Sequence, residues 1–231
     1  MSGRLLKDLP SVSELVKLYQ LSAKKKLGQN FLLETNLADK FVRAAGNLDN
    51  SHVIEVGAGP GTLTRAILNA GAKRVTVIEK DRRFLPCLQL LADAVGSRMK
   101  IFYGDALEID YERIFVSQTQ ETSNIKIIGN LPFNVATPLF IKYLEIIANK
   151  QQDTSNIIPI ELTLSFQKEV AARIVASPNT AERSRLSTLT QSFCDANISL
   201  VIPGSMFVPP PKVLIRKKKI FTKKINVYCY K

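Results

Sequence analysis

Two kinds of apolar pattern alternate along the chain. Short, nearly continuous apolar runs occur at "HVIEV" (52–56), "RVTVIE" (74–79), "MKIFYGD" (99–105), "IKIIGN" (125–130), "ELTLSFQ" (161–167) and "ISLVI" (198–202), with the length and branched-residue content of buried strands. Between them lie segments with helical periodicity: "TLTRAILNA", "RRFLPCLQLLADAV" with a proline in its first turns, "TPLFIKYLEIIAN", "KEVAARIVA" and "RSRLSTLTQSFC". Upstream, "SVSELVKLYQL" carries apolar residues at 12, 15, 16, 18, 19 and 21, which marks an amphipathic helix, and "NLADKFVRAAG" predicts another. Strands separated by helices form βαβ units, because parallel neighbours require a crossover. The pattern predicts an α/β fold with a doubly wound, mostly parallel sheet.

In such sheets a ligand sits beyond the carboxyl ends of the strands. "EVGAGPG" places Gly57, Gly59 and Gly61 between a strand and a helix, where the backbone can turn tightly and the following helix points free amides outward. The dinucleotide fingerprint needs a glycine at 62, and Thr62 stands there, which counts against an NAD-dependent dehydrogenase. Gly-x-Gly-x-Gly two residues after Glu55 resembles instead the first motif of S-adenosylmethionine-dependent methyltransferases. Glu79 ends the next strand, where a carboxylate can accept from both hydroxyls of a ribose, and Asp105 ends the third, placed to accept from an adenine amine.

The fourth strand ends in Asn130, Leu131, Pro132 and Phe133. Methylation of an adenine amine needs a lone pair that the ring has delocalised. Two acceptors for the amine hydrogens favour the pyramidal, nucleophilic form. The Asn130 side-chain oxygen is one, and the Leu131 carbonyl, held extended by Pro132, is the other. Phe133 offers a face for an unstacked base, an interaction worth roughly 1 to 3 kcal/mol. Catalysis of this kind is positioning and electrostatics.

Composition narrows the alternatives. Cys87, Cys194 and Cys229 form no CxxC pair and His52 is the only histidine, which argues against structural zinc, a disulfide framework and histidine-based nucleophilic catalysis. No apolar run reaches the ~20 residues of a membrane span, so a soluble protein in a reducing compartment is expected. Of the net charge of +12, residues 214–231 contribute +7 and residues 1–26 contribute +4. A polyanionic partner met from the chain ends fits this distribution; simply solvated lysines fit the tail equally well.

Taken together, "LGQNFLL", "EVGAGPGTLT", "VIEKD", "GDAL", "IIGNLPFNVATPL", "FQKEVAARIVA", "RSRLS" and "FVPPPKV" resemble, in order and spacing, the ribosomal RNA adenine dimethyltransferase family, from about residue 9 to residue 213. Phe133, together with "LTLSFQKEVA", is most similar to its mitochondrial branch. The resemblance implies dimethylation of two adjacent adenosines in a small-subunit ribosomal RNA hairpin loop, with S-adenosylmethionine as donor. It implies Gln29, Asn30 and Leu32 at the methionine end of the donor, Gly57 at its backbone turn, Glu79 and Lys80 at ribose and adenine, Asp105 and Ala106 at the adenine, and Asn130 beside the methyl group. It further implies a monomer in the mitochondrion with the ribosomal RNA or subunit as partner, mitochondrial DNA or the transcription machinery as a further one, and no membrane. The expected organisation is a basic arm (1–27), a methyltransferase domain (28–213) and a Lys-rich tail (214–231). The tail stands where the family has a strand and a small helical domain; its "KINVYCY" is expected as a poor edge strand or disordered. The alternative is a non-catalytic protein that holds S-adenosylmethionine or nucleic acid in mitochondrial transcription or ribosome assembly. Asp8 and Glu14 make the arm richer in acids than a transit peptide usually is.

Overall fold

The computed structural model describes residues 6–116, 124–152, 160–209 and 224–230. The chain opens with helix α1 (Val12–Leu18), started by a capping box in which Ser11 Oγ accepts from the Glu14 N–H and the Glu14 carboxylate accepts from the Ser11 N–H. Its apolar face is buried through Val12 and Leu15, and Leu9 and Leu21 flank it in the core, so this part of the basic arm is packed onto the domain. There follow β1 (Phe31–Leu32), α2 (Thr35–Ala44), β2 (Ser51–Val56), α3 (Thr62–Asn69), β3 (Arg74–Glu79), α4 (Leu85–Val95), β4 (Met99–Tyr103), α5 (Tyr111–Val116), β5 (Asn124–Gly129) and α6 (Phe133–Gln152). The chain continues through β6 (Ile160–Gln167), α7 (Lys168–Ile174), α8 (Arg185–Phe193), β7 (Asp195–Ile202), β8 (Phe207–Val208) and β9 (Lys224–Tyr230).

Among the described residues, seven strands form one sheet in the order β4-β3-β2-β5-β6-β9-β7, every neighbouring pair parallel. Both faces of the central strands β2, β3, β5 and β6 are covered, which is why these strands read as nearly continuous apolar runs. One core gathers Phe41, Val53, Ile67, Val75, Val77, Phe84 and Leu88; the other gathers Ile54, Ile78, Ile127, Phe140, Tyr143, Leu162 and Phe166. The expected doubly wound sheet is therefore present. The chain runs outward from β2 to β3 and β4, then returns to β5 on the other flank of β2. That reversal opens a crevice beyond the carboxyl ends of β2 and β5.

Three features depart from the sequence pattern. Segment 224–230 is no edge strand: it lies between β6 and β7, with Leu162 opposite Ile225 and Asp195 opposite Lys224. Its seven-residue run is backbone-paired on both sides, so its lysine-rich approach did not decide its place. The short α5 lacked a visible period, and it is held by Tyr111, Ile114 and Phe115 buried beneath α6. The two-residue pair β1–β8, antiparallel through Phe31–Val208 and Leu32–Phe207, is too short to signal in sequence. No described helix is long and apolar enough to cross a membrane.

Candidate active site

β2 passes into the glycine loop through the Gly57 N–H, which donates to the Ile78 carbonyl at 2.9 Å and ties the loop to β3. Gly61 caps α3 at φ 91°, a left-handed conformation, and a Cβ there would stand 2.9 Å from Leu91 Cδ1. The loop thus lies close over the core, with the Gly57, Gly59 and Gly61 N–H groups donated to the Ile78 carbonyl, the Glu79 carboxylate and the Ala58 carbonyl. Glu79, at the end of β3, is buried; its Oε2 accepts from the Gly59 N–H at 2.8 Å and its Oε1 from the Asp81 N–H at 2.7 Å. Burial raises its pKa, with those two donors opposing. A carboxylate accepts about four hydrogen bonds, so capacity remains on both oxygens for a diol.

Beyond β4, Asp105 is ion-paired with Lys80 and accepts from the Leu107 N–H at 3.0 Å. The Lys80 hydrogen bond, and then that of Leu107, hold its carboxyl below the usual range. Lys142 on α6 donates to the Leu107 and Ile109 carbonyls at 2.7 and 2.8 Å, which fixes the loop that carries Asp105 and Ala106.

The segment before α2 closes the cleft from the opposite side. Gln29 Nε2 donates to Asp81 Oδ2 at 2.9 Å, while its Oε1 accepts from the Lys24 N–H and from Arg83 Nη2. Arg83 also donates to the Ser22 carbonyl at 3.0 Å. Burial pushes the Asp81 carboxyl up, but hydrogen bonds from Arg83 and Gln29 outweigh it and leave the group at about 2. Gln29 is therefore engaged chiefly in fastening this strap. Gly28, at φ 63°, passes so close to the Asn130 loop that a Cβ would lie 2.7 Å from Asn134 Oδ1 and 3.3 Å from Pro132 Cβ. Asn130 Nδ2 donates to the Asn30 carbonyl at 3.2 Å, and Asn130 Oδ1 accepts from Ser165 Oγ at 3.1 Å. The Pro132 carbonyl accepts from the Val135 and Ala136 N–H groups and starts α6.

One cleft of about 280 Å³ brings these pieces together. Its wall includes Gln29, Asn30, Leu32, Gly57, Glu79, Lys80, Asp105, Ala106, Asn130, Leu131 and Pro132, so all but one of the expected site residues meet there. Phe133 is not on that wall; it opens α6 half-buried and packs against the core cluster around Phe84. Asp81, Arg83 and Ser165 were missed by sequence reasoning. Asp81 and Arg83 directly follow the Glu79 strand end, where their position was a usable signal; Ser165 looked like any inward residue of a buried strand.

The sequence pattern of the family described as "Ribosomal RNA adenine dimethylase" matches residues 20–229, most of the chain. The chain belongs to this family. Its match extends over the Lys-rich tail. Among curated relatives the chain is 47% identical over 213 residues to "Mitochondrial dimethyladenosine transferase 1" of Bos taurus, covering 90% of this chain and 62% of that protein. It is 45% identical to "Ribosomal RNA small subunit methyltransferase A" of Cereibacter sphaeroides, covering 89% of this chain and 69% of that one. Among solved structures, a dimethyladenosine transferase from Plasmodium falciparum superposes with a TM-score of 0.58 at 26% identity, over 78% of this chain and 58% of that one. The chain spans about three-fifths of the length of its mitochondrial relatives.

Proposed function

We propose that the chain transfers methyl groups from S-adenosylmethionine to the exocyclic amines of two adjacent adenosines in a hairpin loop of small-subunit ribosomal RNA, as a monomer in the mitochondrion. The observation that carries this reading is the convergence of Glu79, Asp105 and Asn130, from three separate strand ends, on one cleft beside the glycine loop. The residues present fit such a donor. Glu79 and Asp105 offer carboxylates for a ribose diol and a purine amine, and the buried Thr62 hydroxyl at the start of α3 lines the cleft without a partner among the described residues. Gly59 leaves open space where a side chain would project. When bound, S-adenosylmethionine supplies an electrophilic methyl group.

The chain's own contribution is orientation. Asn130 Oδ1 and the Leu131 carbonyl hold the hydrogens of the target amine and favour its pyramidal form, so that its lone pair is directed at the donor. Phe133, half-buried between the cleft residues Pro132 and Asn134 but not itself on the wall, is the face we assign to stacking of the extruded base. Leu131 is 2% exposed and Glu79 6% exposed, so the corner excludes water and its dipoles act in a low-dielectric setting. The exposed Lys26 on the cleft wall suits an RNA backbone. The curated names of the bovine relative and others like it support the mitochondrial assignment, and mitochondrial DNA or the transcription machinery is the further partner proposed.

The test is incubation with methyl-labelled S-adenosylmethionine and a small-subunit hairpin RNA, with Asn130→Ala alongside. Label in N6-dimethyladenosine with the wild type and none with the variant is expected. Binding of S-adenosylmethionine without transfer by the wild type would replace this reading with that of a non-catalytic binding protein.

A further inference from the structure

Asn130 is useful to the reaction only in one of its two amide orientations. With Oδ1 toward the target amine it accepts; rotated by half a turn it presents Nδ2, a donor facing a donor. Two neighbours fix the choice. The Asn30 backbone carbonyl can only accept, and it takes Nδ2 at 3.2 Å. Ser165, fully buried on β6, accepts from the Leu131 N–H at 2.9 Å, which leaves its own hydrogen to be given to Asn130 Oδ1 at 3.1 Å. One hydroxyl thereby bridges the side chain of Asn130 and the peptide that joins Asn130 to Leu131. Ser165 itself is not among the cleft-lining residues, so it acts on the reaction through Asn130.

We propose that Ser165 is a positioning residue for methyl transfer: its hydroxyl locks the Asn130 amide and the following peptide in the orientation that accepts the adenine amine. The proposal rests on the function proposed above and adds a residue to it. The strand explains why a hydroxyl is available there. β6 pairs with β5 through Thr163 opposite Ile128 and Leu164 opposite Gly129, so Ser165 comes level with the point at which β5 gives way to the Asn130 loop. An alanine at 165 would fill the same buried space nearly as well but would strip the donor from Oδ1 and the acceptor from the Leu131 N–H. The flipped amide then becomes accessible, and a share of the bound adenines meets the wrong group.

The experiment compares wild type, Ser165→Ala and Ser165→Thr in methyl transfer to the hairpin RNA, in S-adenosylmethionine binding by calorimetry, and in backbone amide exchange at Leu131. Ser165→Ala is expected to lower kcat about tenfold, the effect of one hydrogen bond, to leave the Kd for S-adenosylmethionine within about twofold, and to speed exchange at Leu131. Ser165→Thr, which keeps the hydroxyl, restores most of kcat. Transfer by Ser165→Ala at the wild-type rate overturns the role of Ser165 alone. Loss of cofactor binding in step with kcat in both variants overturns it too, because the residue is then merely structural. A wild-type chain that binds S-adenosylmethionine yet transfers nothing overturns the proposed function, and the role of Ser165 with it.

Discussion

Replacing Glu55 by glutamine removes a titration that the fold has displaced. Glu55 lies on β2, two residues before the glycine loop, and is fully buried. Burial raises its pKa from 4.5 to about 8, the nearby Thr64 hydroxyl opposing and the Glu79 carboxylate adding to it. Between those two values the folded chain holds one more proton than the unfolded chain, so stability falls as pH rises, and the loss is complete only above the folded pKa. At 1.36 kcal/mol per unit, the cost of keeping Glu55 neutral grows from about 2 kcal/mol at about pH 6 to about 4 kcal/mol at about pH 8. Glutamine keeps the shape and cannot ionise, so Glu55→Gln should lose this part of the slope. Urea unfolding of both proteins at the two pH values measures it: the stability difference between variant and wild type should move by about 2 kcal/mol in the variant's favour, with unchanged m. Identical pH slopes would refute the claim that Glu55 is neutral in the fold.

His52 tests the opposite limb. Burial first, with Arg74 and Lys100 nearby, lowers its pKa from 6.5 to about 4, so stability falls as pH drops through that window; His52→Gln should flatten the acid side of the melting curve by about 3 kcal/mol. Glu79→Ala should abolish most of the thermal shift that S-adenosylmethionine gives the wild type, which is about 2.7 kcal/mol at a hundredfold excess over Kd; a wild-type protein with no shift would show that the cleft is not a cofactor site. Gly28→Ala, strained at φ 63° and against Asn134 and Pro132, should cost about 1 to 2 kcal/mol of stability and weaken cofactor binding, read by the same melting assay. A fusion of residues 1–40 to a fluorescent protein should enter mitochondria if the arm carries the address; a cytosolic signal would count against that placement.

The sheet and the meeting of polar strand ends on one cleft were legible because both follow from periodicity. A strand buried on two faces has to be apolar throughout, and a ligand-facing end has to break that rule, so Glu79, Asp105 and Asn130 stood out as polar residues closing apolar runs. The tail was misjudged for a related reason. Charge density around "KINVYCY" argued for an edge, yet strand order is set by which backbone ladder is left open, and the gap between β6 and β7 accepted it. Nothing in the local sequence encodes that gap.

The bonds that arm the site are less visible still, because they join residues distant in sequence through single side-chain atoms. Gln29 lies in a motif that the resemblance assigns to the methionine end of the donor, but three of its hydrogen bonds go to Lys24, Asp81 and Arg83, and its main work is to hold the strap over the cleft. Ser165 is 35 positions from Asn130 and shares a strand face with Thr163, while Leu162, Leu164 and Phe166 fill the core on the opposite face. In both cases the group placed at the cleft is short of conformational freedom because a partner outside the motif holds it. An amide that must accept and never donate needs such a partner more than a carboxylate does, since only the amide has a wrong face to show. Around Asn130 the structure supplies that partner from two sides, the Asn30 carbonyl and the Ser165 hydroxyl.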